Sequence, residues 1–592
     1  MDANTTAAPL RMPEEATSPT LIKRSIELKR RSVDPASADV PPTSAPKLHC
    51  TYSAKLVDLM SNFTVVDEDG QVVSFQEDPC SDGSAPVGAA APGQRGSDDA
   101  NSAASEQGAL CAVPEGGDEE ASGPEGAAAA LLKPAASSDA DAEADAGSCG
   151  TAAPLPPPGP QGLAAVFERF AARSIPSAAP GDVAAAVRGH LKEHPSAGMD
   201  TLYVYDLAQI ARMHAAWVAA LPRVRPYYAV KCNPEPAILS VLEALGCGFD
   251  CASQLELAAV VNQMGVDPAR VIFANPCKRP ADIAFARKLG VERTTFDTEC
   301  ELLKIAAAYP SAGCVLRLRC DDAGAQVQLG LKYGAEPHEV PGLLAAAKRL
   351  NLNVVGVSFH VGSGVRNYGV YAEAVRRARD AFDAAAALGF TDMTLLDVGG
   401  GFVAPHAASP AAAFVASAAA ISRALDACFP EAEWPGLQVI SEPGRYFAES
   451  AATLVAPVYS IRLRTVDGAP DGEIARRDYW ITDGLYGSFN CILYDDQHPS
   501  FRVLRSPCLP PLAAPAGAAA AETYPSAVWG PTCDSADCVF KDARLPELRV
   551  GDCLLFSNAG AYTVAGACDF NGINFCDPRK VFVQSRAPAP TA

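Results

Sequence analysis

Between about Pro222 and Tyr446 the chain alternates short apolar runs with helical stretches, and this beat constrains the fold more than any other feature of the sequence. The runs are YYAV, FDCA, VIFAN, TTFD, VLRLRC, VVGVSFHVG, LLDVGGG and LQVISEPG, and helical segments such as PAILSVLEALG and RPADIAFARKLG separate them. Strands that read as continuous apolar runs with helices between them are buried on both faces, which is the signature of a parallel sheet. An open doubly wound sheet would give fewer repeats, so the expected class is α/β with a (β/α)8 barrel. After Phe447 the helices thin out. PVYSIRL, YWITDG, FRVL, DCLLF and VFVQ are short strands with turns, expected to form an antiparallel β-domain. The chain therefore divides into an extension (1–160), lead-in helices with a first strand TLYVYD (161–220), the barrel (221–456) and the β-domain (457–592).

The extension is a different material. Between Asp98 and Asp145 there are 12 acidic residues and one base, Lys133, in a background of Ala, Gly, Ser and Pro. Such a stretch cannot bury enough apolar surface to offset its ordering entropy, so it is expected to be disordered. An island from Leu48 to Glu77 holds LVDLM and FTVVDEDGQVVSF, a candidate helix and hairpin without assigned function. The extension supplies much of the net charge of −21, which argues against nucleic-acid binding and says little about any site. Two Ala/Pro-rich pieces, about Thr465 to Gly472 and Ala513 to Glu522, are expected as surface loops. No apolar run approaches the roughly 20 residues of a membrane span, and Met1 to Lys47 lacks the apolar core of a secretory signal. Its basic patch, Lys29-Arg30-Arg31, is offset by Glu14, Glu15 and Glu27; the expected compartment is the cytoplasm, with organelle targeting left open. The 19 cysteines are odd in number and widely spread, which suits reduced thiols. Cys533 and Cys538 lack the paired spacing of a zinc site, so no metal is expected.

Chemistry enters where strands stop. PYYAVKCN (226–233) runs an apolar strand into Lys231, and in such barrels the functional groups sit at the C-terminal strand ends. A lysine there can form a Schiff base with an aldehyde cofactor, or simply reach water past its apolar stem. His360 follows VVGVSF. Gly399-Gly400-Gly401 follows LLDV, where amides free of side chains can hold a phosphate. Glu442 and Arg445 follow LQVIS; the first can keep a ring nitrogen protonated and the second offers a fork of donors to phosphate. Each feature alone is weak, but four at strand ends are hard to assign to chance.

With FDCAS (249–253), ANPCK (274–278), SFHVGSG (358–364), LDVGGGF (396–402), EPGRYF (442–447), YGSFNCILYD (486–495), WGPTCDSAD (529–537) and GAYT (560–563), the chain resembles the eukaryotic ornithine decarboxylase family from about Leu202 to Gln584. The resemblance implies a pyridoxal 5'-phosphate enzyme that converts L-ornithine to putrescine and CO2, the first step of polyamine synthesis. It also implies that the strand near Tyr203 joins the β-domain. It makes Lys231 the covalent cofactor lysine, His360 the residue stacked on the ring and Glu442 the partner of the ring nitrogen. Ser363, Gly399, Gly400, Gly401, Gly444, Arg445 and Tyr562 would surround the phosphate, with Asp250 and Arg317 in the network around it. Cys533 would return a proton to the substrate. Tyr494, Asp495 and Asp534 would hold the distal ammonium. Cys533 and Asp534 would come from the second subunit of a homodimer, with Lys332, Asp537 and Gly560 at its interface. An antizyme-like regulator is a further implied partner.

Some positions depart from the family. Asp496-Gln497 replaces the usual His-Ala after Tyr494-Asp495, and Ser557 stands where animal enzymes carry glutamate. The first departure leaves lysine open as a substrate. Arginine would need a longer pocket. Diaminopimelate would bring a second carboxylate against Asp495 and Asp534, and like charges at about 4 Å cost several kcal/mol in a partly dry site. A regulator without activity, of the antizyme-inhibitor kind, is the remaining reading; such proteins lose catalytic residues that are all present here.

Overall fold

The computed structural model describes residues 160–592 except 321, 406–410, 467–472, 511–521 and 587–592, together with two short strands, Val65–Val66 and Val72–Val73. These two strands pair antiparallel, Val65 with Val73 and Val66 with Val72, as the hairpin expected in FTVVDEDGQVVSF. The helix expected from LVDLM, the acidic Asp98–Asp145 stretch and nearly all of the two Ala/Pro-rich loops lie outside the described residues.

Eight parallel strands close into a barrel. They are β1 (Val224–Ala229), β2 (Gly248–Cys251), β3 (Val271–Phe273), β4 (Arg293–Phe296), β5 (Gly313–Leu318), β6 (Asn353–Phe359), β7 (Leu395–Asp397) and β8 (Gln438–Ser441). Each derives from one of the eight apolar runs, and β8 closes the ring on β1 through Val439, Ile440 and Ser441. The interior is packed by Tyr227, Ile272, Ala274, Val315, Leu395 and Ile440. Space for the Tyr227 ring comes from Gly248 on the next strand, where a Cβ would lie 2.6 Å from ring carbons. Its neighbour Tyr228 points the other way, into the outer layer of helices, as alternation along a strand requires. β1 ends one residue earlier than the apolar run, and Val230–Cys232 forms a 3-10 turn.

The second body is one sheet organised on the strand Ala452–Thr465, which begins five residues before the boundary drawn from the sequence. It pairs antiparallel with Leu202–Asp206, Ile474–Ile481 and Cys553–Ser557. Parallel pairings in this sheet include Ile474–Ile481 with Thr523–Trp529, and Leu202–Asp206 with Arg579–Ser585. The second of these joins strands separated by the whole barrel, a connection long enough for a parallel return.

Against the expectation that no run reaches membrane length, the helix Ala411–Cys428 is long and apolar enough by length and composition to cross one. Its face of Phe414, Ser417, Ala418, Ile421 and Leu425 is buried. Phe414 packs on Trp217, Phe402 and Tyr446, which accounts for the apolar composition as core packing.

Gly560 illustrates a constraint inside the chain. A Cβ there would collide with the Ala448 carbonyl oxygen, and the Gly560 carbonyl accepts from Asn233 Nδ2 at 2.8 Å. Gly560→Ala should therefore cost about 1–3 kcal/mol of overpacking in the subunit itself. Denaturant titration at several protein concentrations checks this: the loss should be independent of concentration, whereas a pure association role would make it fade as protein is raised.

Candidate active site

The C-terminal ends of β1, β3, β5, β6, β7 and β8 and the facing edge of the β-domain enclose a cavity of about 490 Å³. Lys231, Arg317, His360, Ser363, Gly401, Glu442, Gly444, Arg445, Tyr494, Asp495 and Tyr562 all line it. Lys231 extends from the turn after β1 with 44 % of its side chain open to the cavity, and its Nζ pairs with Asp250 Oδ2 at the end of β2. Burial opposes the ammonium, yet the negative surroundings, Asp250 foremost, outweigh it and hold the lysine above its ordinary value. Asp250 is fully buried, and its second oxygen, Oδ1, has no hydrogen-bond partner among the described residues.

His360 follows β6, and its Nδ1 accepts the Gly362 N–H at 3.1 Å, which leaves the proton on Nε2. Burial, with Arg317 and Lys231 nearby, pushes its pKa down to about 3, so the ring is a flat neutral plate at the cavity wall. Burial, then the neighbouring Asp397 and Asp250, pushes Glu442 well above the usual carboxylate range.

The anion end is built from the glycine turn after β7 and from Arg445, the first residue of the short helix Arg445–Ala448. Gly401 adopts φ +97°, a conformation that favours glycine, and a Cβ on Gly400 would sit 2.7 Å from the Glu442 carbonyl and 2.8 Å from His360 Nε2. Gly399 departs from expectation. Its N–H is taken by Asp397 Oδ1 at 2.9 Å, so that amide is not free for a phosphate. Arg445 is buried and clamps Asp495 with Nη2 contacts of 2.7 and 2.6 Å; Glu449 lies 3.4 Å away and the Tyr562 ring 5.3 Å. Burial raises Asp495, with the Arg445 charge opposing that rise. Tyr494 is 77 % exposed at the cavity mouth.

Other expected residues lie elsewhere in the chain. Cys533 is exposed in a turn of the β-domain, where its N–H donates to Asn571 Oδ1 at 3.0 Å. Asp534 accepts from the Tyr486 hydroxyl and, at 2.9 Å, from the Ala536 N–H. Neither borders the lysine cavity of the same chain. Asp537 is buried and accepts from Leu485 N, Thr532 N and Thr532 Oγ1 at 2.7, 3.1 and 2.7 Å. Lys332 is exposed beside Tyr333, and no ion pair joins it to Asp537 within the described chain. The departures Asp496-Gln497 and Ser557 line a neighbouring cavity of about 470 Å³, which shares Arg445 with the first.

Two residues escaped the sequence reading. Asp397 stands inside the quoted LDVGGGF, but nothing in the pattern separated it from a structural strand-end acid. Tyr486 opens YGSFNCILYD and holds Asp534; only its place in that motif marked it.

A closed parallel barrel with a lysine at its rim, a neutral imidazole plate, a buried acid and a glycine-lined anion end defines a pyridoxal-phosphate-dependent enzyme. The glycine turn, crowded against any Cβ, and the unpartnered Asp250 oxygen fit that cofactor. The family model for the pyridoxal-dependent decarboxylase pyridoxal binding domain matches residues 207–449. The chain is 45 % identical over 378 residues to the chloroplastic ornithine decarboxylase of Nicotiana glauca, covering 63 % of this chain and 81 % of that protein. It is 44 % identical over 395 residues to ornithine decarboxylase of Rattus norvegicus, with 66 % and 81 % covered. Antizyme inhibitor 2 of Xenopus laevis is 42 % identical over 377 residues, with 63 % and 79 % covered. Among solved structures, the Paramecium bursaria Chlorella virus arginine decarboxylase bound to agmatine superposes with a TM-score of 0.60 at 35 % identity, covering 68 % of this chain and all of that one. The chain belongs to the eukaryotic ornithine decarboxylase family.

Proposed function

We propose that this protein decarboxylates L-ornithine to putrescine and CO2 with pyridoxal phosphate, as a homodimer with shared active sites. The observation that carries this reading is the meeting, in one cavity, of Lys231, a glycine-lined anion end and the Asp495 carboxylate. Bound there, pyridoxal phosphate supplies the electron sink for the pair left behind when CO2 departs. Lys231 supplies the amine for the cofactor's aldehyde. Glu442 holds the proton at the ring nitrogen, and the neutral His360 ring covers one face. Ser363, Gly400, Gly401, Arg445 and Tyr562 hold the phosphate.

Tyr494 and Asp495 orient the distal ammonium of the substrate. Arg445 and Asp495 neutralise each other in the buried pair, so phosphate and ammonium can take opposite partners and leave neither charge unpaired. Cys533 and Asp534, which lie outside their own chain's cavity, act from the second copy: Cys533 hands a proton to the α-carbon and Asp534 completes the ammonium site. Lys332, Asp537 and Gly560 belong to that interface. The family includes an antizyme inhibitor, and an antizyme-like partner is part of the proposal. The inactive reading is disfavoured because Lys231, His360, Glu442, Arg445 and Cys533 are all in place. The described cysteines are free, which suits a reducing compartment such as the cytoplasm.

The test is CO2 release from ornithine, lysine, arginine and diaminopimelate, ranked by kcat/KM. Ornithine should lead. One methylene is worth only about 1–3 kcal/mol in a simple pocket, so lysine should follow at roughly a tenth to a hundredth of that rate. No release from any of the four would remove the proposal.

A further inference from the structure

Asp397 ends β7 fully buried, and its two oxygens do different things. Oδ1 accepts the Gly399 N–H at 2.9 Å and so pins the start of the glycine turn, where Gly399 adopts φ +66°. Oδ2 has no hydrogen-bond donor among the described residues, and the Glu442 carboxyl is within interaction range of the Asp397 carboxyl. The same turn grips Glu442 from behind: the Gly399 carbonyl accepts the Glu442 N–H at 2.8 Å and the Ser441 hydroxyl at 2.5 Å. The charged groups facing this pair are Asp250, Lys231 and Arg317, while His360 is neutral. Lys231 is committed to Asp250. Two buried carboxyls in contact cannot both ionise at modest cost, and one proton between them satisfies the otherwise orphaned oxygen.

We propose that Asp397 is a positioning residue of the active site: it shares one proton with Glu442 and, through the Gly399 amide, ties the Glu442 carboxyl and the glycine turn into a single unit. The unit presents a proton to the position of the cofactor's ring nitrogen and a preset turn to its phosphate. Burial pushes Asp397 up to about 7, and burial together with Asp397 pushes Glu442 well above the usual carboxylate range, so the pair keeps a proton at neutral pH. This inference rests on the pyridoxal-phosphate reading above.

The sign of the effect is fixed by charge. In the wild type the proton needed at the ring nitrogen is already on the pair. In Asp397→Asn the amide oxygen still accepts from Gly399, but the like charge beside Glu442 is gone, so Glu442 ionises at lower pH and the protein holds up to one proton fewer before the cofactor binds.

The experiment is calorimetry of pyridoxal phosphate binding to the full chain stripped of cofactor, in buffers of different ionisation heat, across the neutral range. The net proton exchange on binding should differ between Asp397→Asn and the wild type at neutral pH by up to one proton in the direction of uptake, with the midpoint displaced downward by about one pH unit or more. Asp397→Ala, which also loses the Gly399 acceptor, should show the same proton difference and bind the cofactor about tenfold more weakly than Asp397→Asn. A proton count and midpoint unchanged in Asp397→Asn would overturn the shared proton, because a merely structural role alters affinity and not proton uptake. Should Asp397→Asn fail to fold, infrared spectroscopy of the cofactor-free wild type decides: a protonated carboxyl at neutral pH supports the unit, and its absence overturns it. Failure of the wild type to bind the cofactor at all would instead sink the proposed function.

Discussion

Lys231→Ala should abolish both the visible absorbance of the cofactor-loaded protein and its decarboxylase activity, with kcat/KM down on the order of 10³-fold or more, about 4 kcal/mol. The expectation follows from geometry: Lys231 is the amine that extends from the barrel rim into the cavity beside the anion end. The alanine variant also leaves Asp250 buried without its cation, so loss of function there could come from misfolding. Lys231→Arg separates the two causes. It keeps a positive charge beside Asp250 but cannot bond an aldehyde under these conditions, so it should fold like the wild type and be equally colourless and inactive. A coloured and active Lys231→Arg protein would contradict the assignment.

The second large effect concerns Cys533. Cys533→Ala should retain the cofactor colour yet lose about 10²–10⁴-fold in normal turnover, the range of a positioned proton donor. Because Cys533 is exposed in its own subunit, the substitution should leave the melting temperature of the chain almost unchanged. Mixing is the sharper measurement. A heterodimer of Lys231→Ala and Cys533→Ala chains holds one site with an intact lysine and an intact cysteine, and one with neither. Random reassociation makes half the dimers mixed, so activity should recover to about a quarter of the wild-type value. Mixed dimers shown to form without any recovery would place Cys533 and Lys231 in the same subunit's site.

How much of this was legible in the sequence depended on whether the signal was local. The eight barrel strands were readable because parallel strands buried on both faces are continuous apolar runs, and YYAV through LQVISEPG all became β1 to β8. Lys231, His360, Glu442 and Arg445 stood out because they lie where those runs stop. Contacts between distant segments left no such trace. The Arg445–Asp495 clamp joins residues 50 apart, and the parallel pairing of Ile474–Ile481 with Thr523–Trp529 looks locally like any other pair of short strands. The apolar helix Ala411–Cys428 was hidden by its many alanines, each too small to mark a hydrophobic stripe. Asp397 and Gly399 show a further limit. An acid followed by three glycines reads as an open turn, and only the path of one N–H shows that the first amide is already engaged.

The pairing of Leu202–Asp206 with Arg579–Ser585 also carries a schedule. At its end the Ser585 N–H donates to Asp206 Oδ1 across 379 residues of chain. During synthesis the barrel strands and their helices emerge in the order in which they pair, so that body can close as it appears. The early strand has no such option: one of its edges must stay uncovered until the final strand has left the ribosome. The β-domain, and with it the half of the cavity formed by Asp495 and Tyr562, is therefore completed last, and chains cut short before Arg579 should be captured by chaperones or aggregate through that waiting edge.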